Sequence, residues 1–181
     1  MKKWSIAILF LLSSICLFAQ DIFGAAKFGT PQDVLAAIKA GASLNERDNL
    51  GMTPLMWAAA NNTNPEVITA LLKAGARLDD RDKLGQTPLT VAAMNNANPE
   101  VITALLKAGA RLDDRDNIVG MTPLMWAATN NANPEVVMIL LKAGANGKTK
   151  SLEGKTAFDY AKDNPNIKDT AAYWALNNAR F

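Results

Sequence analysis

The chain has 181 residues, of which 19 are basic and 17 acidic; it has no histidine and a single cysteine. Its formal net charge of +2 gives no general attraction to nucleic acid or to an anionic membrane. Without histidine, and with Cys16 as its one thiol, it lacks the commonest general bases, thiol nucleophiles and transition-metal ligands. The composition therefore predicts a protein that is not an enzyme and binds no cofactor or metal.

Residues 1–19 have the pattern of a secretory signal peptide. Lys2 and Lys3 form a short positive segment, residues 4–18 carry no charge, and Ala19 supplies a small residue at the expected cleavage point. The apolar run is shorter than the roughly 20 residues of a membrane-spanning helix. We therefore expect export to the periplasm or beyond.

Two alternatives to cleavage stay open. The segment could be retained as an anchor, or Cys16 could be acylated to give a tethered lipoprotein, although Ile15 stands where lipoprotein signals have a small residue. Cleavage before Gln20 would leave equal numbers of basic and acidic residues and no cysteine. Such a mature chain has to be held together by packing alone.

An internal repeat fills the rest of the chain. The segment from Gly51 to Leu84 is nearly the same as the segment from Gly85 to Ile118, and a third copy starts at Gly120. Glycines 51, 85, 120 and 154 are 34, 35 and 34 residues apart. A fixed period of this size indicates stacked structural units. We predict five of them: 21–50 as N-terminal cap, 51–84, 85–119, 120–153, and 154–181 as C-terminal cap.

The first half of each copy predicts a short helix. Thr53 can cap a helix that begins at Pro54, where the missing N–H costs nothing. Apolar residues at helical spacing then form one face, represented by Leu55, Ala58 and Ala59. We expect Asn61–Asn62 to end this helix in a left-handed backbone, which asparagine tolerates.

The second half predicts another helix, over 65–74. Asn64 is its expected cap, Pro65 its first residue and Glu66 a favourable charge in its first turn. Gly75 should close it, and residues 76–84 form an extended loop to the next copy. The side chains that we expect to be buried are Val67, Ile68, Leu71 and Leu72.

The motif Gly-x-Thr-Pro-Leu-x-x-Ala-Ala at 51–59, followed by Glu-Val-Ile at 66–68, Leu71-Leu72 and Gly-Ala at 75–76, resembles the ankyrin repeat. The resemblance holds in three full copies and extends to both caps. It implies an all-α ankyrin-repeat solenoid of stacked helix-turn-helix units with hairpin-like loops. The family's usual histidine is replaced by Met56, Thr90 and Met125, and methionine can fill the gap by packing.

Two local motifs suggest chemistry only at first sight. Gly147-Lys148-Thr149 ends like a phosphate-binding loop but has Lys142 where that motif needs glycine. The acidic pairs 79–80 and 113–114 lie between arginines, so we interpret them as alternating charges on solvated loops.

The resemblance implies a non-catalytic module that binds a partner protein in the concave groove formed by loop tips and first helices. Aliphatic residues stand at the loop tips, methionine or glutamine comes next, and two tryptophans follow on the first helices. Such side chains mark interaction surfaces, although the tryptophans could equally be packing between repeats. The candidate partner-binding residues are Leu50, Met52, Trp57, Leu84, Gln86, Ile118, Val119, Met121 and Trp126.

Three hypotheses on function follow. The first is a monomeric, exported protein-binding module. The second is a special case of it, an inhibitor or immunity protein that neutralises a secreted enzyme. The third is a small-ligand-binding protein, which would need a closed pocket that an open solenoid rarely provides.

Overall fold

The computed structural model describes residues 21–181, and in this part of the chain it shows ten α-helices and no β-strand. The expected signal peptide and the acylation alternative at Cys16 fall outside these residues. The helices are α1 Ile22–Phe28, α2 Pro31–Lys39, α3 Pro54–Asn61, α4 Pro65–Lys73, α5 Pro88–Asn95, α6 Pro99–Lys107, α7 Pro123–Asn130, α8 Pro134–Lys142, α9 Ala157–Ala161 and α10 Ala171–Ala179.

The helices stack in two rows. Helices α1, α3, α5, α7 and α9 pack on one another in sequence and form the first row; α2, α4, α6, α8 and α10 do the same and form the second row. Each helix also packs on the partner that follows it in the same repeat. The result is the all-α repeat solenoid that the sequence predicts.

The core lies between the two rows. Leu55, Ala58 and Ala59 of α3 are buried, as are Val67 and Leu71 of α4. The same pattern recurs in each full repeat. One expectation needs correction: Leu72 is half-buried rather than buried, because it lies at the edge of the second-row helix and not on its inward stripe.

The predicted helix caps are confirmed. The Thr53 hydroxyl accepts a hydrogen bond from the Met56 N–H, and the Asn64 side chain accepts one from the Glu66 N–H. Gly75 has φ 103° and donates its N–H to the Leu72 carbonyl, so it closes α4 in the backbone region that glycine favours. Helix α4 ends at Lys73, one residue earlier than predicted.

The predicted left-handed backbone at Asn61–Asn62 is wrong. Asn62 is extended, with φ −82° and ψ 126°, and its side chain is buried. Its Nδ2 donates to the carbonyls of Ala26 and Gly29 in the preceding repeat, and its Oδ1 accepts the N–H of Asn64. The residue is therefore an asparagine because of its side chain and not because of its φ angle.

This arrangement is repeated along the solenoid. Each buried asparagine fastens the turn of its own repeat and at the same time satisfies two carbonyls of the preceding one, which an apolar side chain could not do. The four members of this asparagine ladder are Asn62, Asn96, Asn131 and Asn164.

Candidate functional site

Each of the three loops that lead into a full repeat is organised around one aspartate. Asp48 accepts the N–H groups of Leu50 and Met52 at 2.8 and 2.9 Å through Oδ1. Asp82 accepts those of Leu84 and Gln86 at 2.9 and 2.8 Å. These bonds hold the tips in a defined shape, so the side chains that the tips carry are positioned by a rigid turn.

Asp116 does the same in the longer third loop. Its carboxylate is buried and accepts the N–H groups of Ile118, Val119, Gly120 and Met121. Burial raises the pKa of the Asp116 carboxyl, but the hydrogen bonds from these groups outweigh burial and the pKa is lowered overall. In this longer loop the carboxylate accepts four backbone N–H groups, two more than Asp48 or Asp82 does.

The loop tips expose aliphatic side chains. Leu50 is 58 % exposed, Leu84 47 % and Ile118 61 %, and Val119 is half-buried. Successive tips are joined edge to edge, because the N–H of Lys83 donates to the Leu50 carbonyl and the same bond recurs at the next two loops. The tips therefore form a continuous apolar edge.

That edge extends one repeat further than predicted. Leu152 donates its N–H to the Val119 carbonyl, and its side chain is largely exposed. The signal was in the sequence, because Leu152 stands two residues before Gly154, where Ile118 stands two before Gly120. The divergence of the last repeat concealed it.

The two tryptophans are both packed and accessible. The Trp57 indole N–H donates to Asp48 Oδ2 at 2.8 Å, and that of Trp126 donates to Asp116 Oδ2 at 3.0 Å. Both side chains are half-buried. The Lys27 ammonium group lies 4.3 Å from the Trp57 ring, within the range of a cation–π contact.

These tryptophans belong to a row of equivalent positions on the first-row helices. Gly24 and Tyr160 occupy the row in the two caps, and Val91 occupies it in the central repeat. The Tyr160 hydroxyl lies 2.8 Å from the Ser151 hydroxyl, where the first and third full repeats have an indole and an aspartate. We did not predict Tyr160 as a site residue, although its register with Trp57 was readable.

Three predicted site residues have little free surface. Met52, Gln86 and Met121 are each buried to nine-tenths or more. They lie beneath the loop tips, so the area that each offers to a partner is small. Their contact with a partner stays a prediction.

The charged loops are more ordered than the sequence indicated. Arg47 pairs with Asp80 at 2.9 Å and Arg81 with Asp114 at 2.7 Å, each across one repeat boundary. Both aspartate side chains are only 10 % exposed, so our interpretation of solvated loop charges is wrong for them. It is correct for Asp79, whose side chain is 67 % exposed.

Each of these arginines also bonds backbone. Arg47 Nη1 donates to the carbonyls of Gly51 and Arg81, and Arg81 Nη1 donates to those of Gly85 and Arg115. The arginine ladder therefore fixes the spacing of adjacent loops and hence of the apolar tips. It is a frame for the surface rather than part of a reacting centre.

Within residues 21–181, no group of three or more Cys, His, Asp or Glu side chains is placed to hold a metal ion. No helix of the same residues is long and apolar enough to cross a membrane.

The model of a family described as ankyrin repeats (3 copies) matches residues 22–116 and 98–179. These matches cover most of the chain, and the chain therefore belongs to the ankyrin repeat family. No curated protein sequence matches it. Ankyrin repeats in general mediate protein–protein interaction and are non-catalytic modules.

Proposed function

We propose that this protein is an exported, monomeric binding module whose loop tips and first-row helices, together called the groove face, hold a partner protein. The observation that carries the proposal is the row of exposed aliphatic tips at Leu50, Leu84 and Ile118, on loops that aspartates hold in place. These apolar side chains are held in an exposed row and contribute little to the core. Such a row is typical of interaction surfaces.

The chain's own repeats support the choice of this face. Helices α4 and α6 of the second row have the same sequence, PEVITALLK. The first-row helices α3 and α5 read PLMWAAAN and PLTVAAMN. Between these two repeats the variation falls on the first row, whose side chains belong to the groove face. The third full repeat differs in its second row instead, where α8 reads PEVVMILLK.

The expected binding energetics follow from this surface. Binding energy in protein interfaces is concentrated in a few central anchors, and the exposed tips with the accessible faces of Trp57 and Trp126 are the candidates. The mature chain would have no net charge, so long-range steering is weak and the affinity should depend only modestly on salt.

The test compares capture by matched variants of the protein. A Leu84→Ala/Ile118→Ala double variant removes two tips, whereas a Lys73→Ala/Lys107→Ala double variant changes the exposed ends of two second-row helices. Each is immobilised and used to capture proteins from periplasmic extract and culture medium, with circular dichroism melts to show that both are folded. We expect a partner that the wild type and the lysine variant retain and the tip variant loses.

Retention by the tip variant together with loss by the lysine variant would place the site on the second row and overturn the proposal. The recovered protein also decides between the general module and the inhibitor hypothesis, because a secreted enzyme should lose activity when the module is added. Size-exclusion chromatography of the purified protein tests the monomeric state.

Export is a separate part of the proposal, and its support is the pattern of residues 1–19. Mass spectrometry of the protein isolated from its cells should give a chain that starts at or near Gln20. An intact Met1 would contradict export by cleavage, and an acylated Cys16 would replace it with tethering to a membrane.

A further inference from the structure

The central repeat lacks a hydrogen bond that both of its neighbours make. Asp48 and Asp116 each accept an indole N–H through Oδ2. Asp82, the equivalent residue of the central repeat, accepts backbone N–H groups through Oδ1 alone, because Val91 stands where the neighbours have tryptophan. Among the described residues, Asp82 Oδ2 has no donor.

Val91 is packed into the core, and its side chain is only 2 % exposed. With valine in place of tryptophan, Oδ2 of the half-buried Asp82 keeps unused capacity to accept hydrogen bonds.

The side-chain amide of Gln86 is a second group without a partner, and it belongs to a residue whose backbone is bonded to Asp82. The Gln86 N–H is 2.8 Å from Asp82 Oδ1, and Gln86 is only 5 % exposed. Its side-chain amide makes no hydrogen bond to another described residue. Arg180 Nε is the fully occluded side-chain atom without a partner in this part of the chain, so the Gln86 amide atoms still touch solvent. A buried amide is normally hydrogen-bonded.

No cationic side chain of the described residues forms an ion pair with Asp82. Arg81 is engaged by Asp114 and by the carbonyls of Gly85 and Arg115. Lys83 is exposed at the tip and forms no ion pair with Asp82. In the row of the first-row helices, Trp57 precedes the site and Trp126 follows it. The Lys27 ammonium group already lies 4.3 Å from the centroid of the Trp57 ring.

We propose that Asp82 and Gln86 bind the guanidinium group of an arginine presented by the partner protein, an inference that rests on the proposed function and names the partner's chemistry. Arginine offers five N–H donors in a planar fork and no acceptor. One side chain can therefore satisfy both the Asp82 carboxylate and the Gln86 carbonyl. A neutral indole offers one N–H and leaves the Gln86 carbonyl unpaired.

The probe is the peptide acetyl-Gly-Arg-Gly-amide, compared with peptides that carry citrulline or lysine in the central position. Citrulline has nearly the shape of arginine without its charge. Binding is followed in ¹⁵N NMR spectra of the protein expressed from the full-length chain, through the Gln86 side-chain amide and the indole N–H signals. We expect the arginine peptide to shift the Gln86 signal, the lysine peptide to bind more weakly and the citrulline peptide to have no measurable effect.

Two substitutions and a matched control locate the effect. Asp82→Asn should weaken binding of the arginine peptide about tenfold, since it removes a hydrogen bond to a charged acceptor. Asp113→Asn is the matched control, because it removes the same charge from an exposed loop position. Val91→Trp restores the neighbours' indole, which should donate to Asp82 and abolish binding while raising the melting temperature.

Equal shifts with the arginine and citrulline peptides, or equal affinity of the Asp82→Asn and wild-type proteins, would overturn the inference. Should Val91→Trp fail to fold, the Asp82→Asn comparison decides. A captured partner that depends on Leu84 and Ile118 but not on Asp82 would leave the proposed function standing and remove this arginine site. If the arginine peptide bound specifically but no captured partner depended on Leu84 and Ile118, the arginine site would stand and the proposed function would fall.

Discussion

In the first two full repeats, the two rows of helices solve the same packing problem with different freedom of sequence. Helices α4 and α6 are identical and bury the same three apolar side chains each. Helices α3 and α5 differ at three of their eight positions, yet both bury six residues. Burial alone therefore does not explain the difference. The first row packs against the core and also supports the loop tips. Its side chains are therefore constrained by the surface as well as by the core.

The largest expected effect lies in the second row, at Leu105. Its side chain is fully buried between the rows, and Leu105→Ala should lower the free energy of unfolding by roughly 2–5 kcal/mol, the usual range for emptying a buried leucine site. Leu71→Ala in the identical helix should behave in the same way. Urea denaturation followed by circular dichroism measures both.

Leu106 provides the matched control for Leu105. It is the next residue of α6 and is only half-buried, so Leu106→Ala should cost clearly less than Leu105→Ala. Equal costs would mean that the inward stripe of the second row is assigned to the wrong residues.

The next effect concerns the asparagine ladder, which ties the turn of each repeat to the end of the first-row helix in the preceding repeat. Asn96 donates to the carbonyls of Ala59 and Asn62 and accepts the N–H of Asn98. Asn96→Ala leaves all three groups buried and unpaired, which should cost about 2–4 kcal/mol.

Asn95→Ala is the control for Asn96→Ala, because the Asn95 side chain only donates to the Val91 carbonyl of its own helix. It should cost much less in the same denaturation experiment. If Asn96→Ala proved as mild as Asn95→Ala, the ladder would be a consequence of stacking and not a cause of it.

Sequence reasoning succeeded where a residue's role is local. The caps at Thr53 and Asn64, the start at Pro54 and the closing turn at Gly75 depend on neighbours within four residues, and the pattern of the chain shows them. The period then fixed the stacking. The fold was therefore predictable almost completely.

Sequence reasoning failed where the role of a residue depends on contacts with the adjacent repeat. Asn62 was assigned a backbone role, although its side chain bonds carbonyls 33 and 36 residues away. Asp80 was interpreted as solvated, although Arg47 of the preceding repeat covers it. For the groove face, sequence reasoning identified the exposed tips but not the burial of Gln86, since burial is a property of the assembled stack.

A smaller effect is expected for the carboxylate that organises the third loop. Asp116→Asn replaces an ionised acceptor of four backbone N–H groups and an indole. Hydrogen bonds to a charged acceptor are worth more than neutral ones, and the substitution should cost about 1.5–3 kcal/mol at pH 7. Thermal melts of the variant and the wild type measure this difference.

The pH dependence of the same pair tests the cause. The pKa of Asp116 is lowered in the folded protein, so its stabilisation is complete above the unfolded pKa of about 3.9 and is lost as the pH falls through the lower folded value. The wild type should therefore lose stability on acidification more steeply than Asp116→Asn. Parallel curves for the two proteins would contradict the assigned role of the carboxylate.

The smallest effect on stability and the most telling one on function is expected at Leu84. This side chain lies at a loop tip and is about half exposed, so Leu84→Ala should cost less than about 1 kcal/mol, close to the roughly 0.5 kcal/mol limit expected for the surface change Lys107→Ala. Against a partner captured by the groove face, Leu84→Ala should weaken binding by about 1–2 kcal/mol or more, whereas Lys107→Ala should leave it unchanged. Isothermal titration calorimetry with both variants, at low and physiological salt, separates the two rows directly: a loss of affinity at Leu84 that persists at both salt concentrations marks an apolar anchor, whereas equal affinities of the two variants would remove the loop tips from the interface.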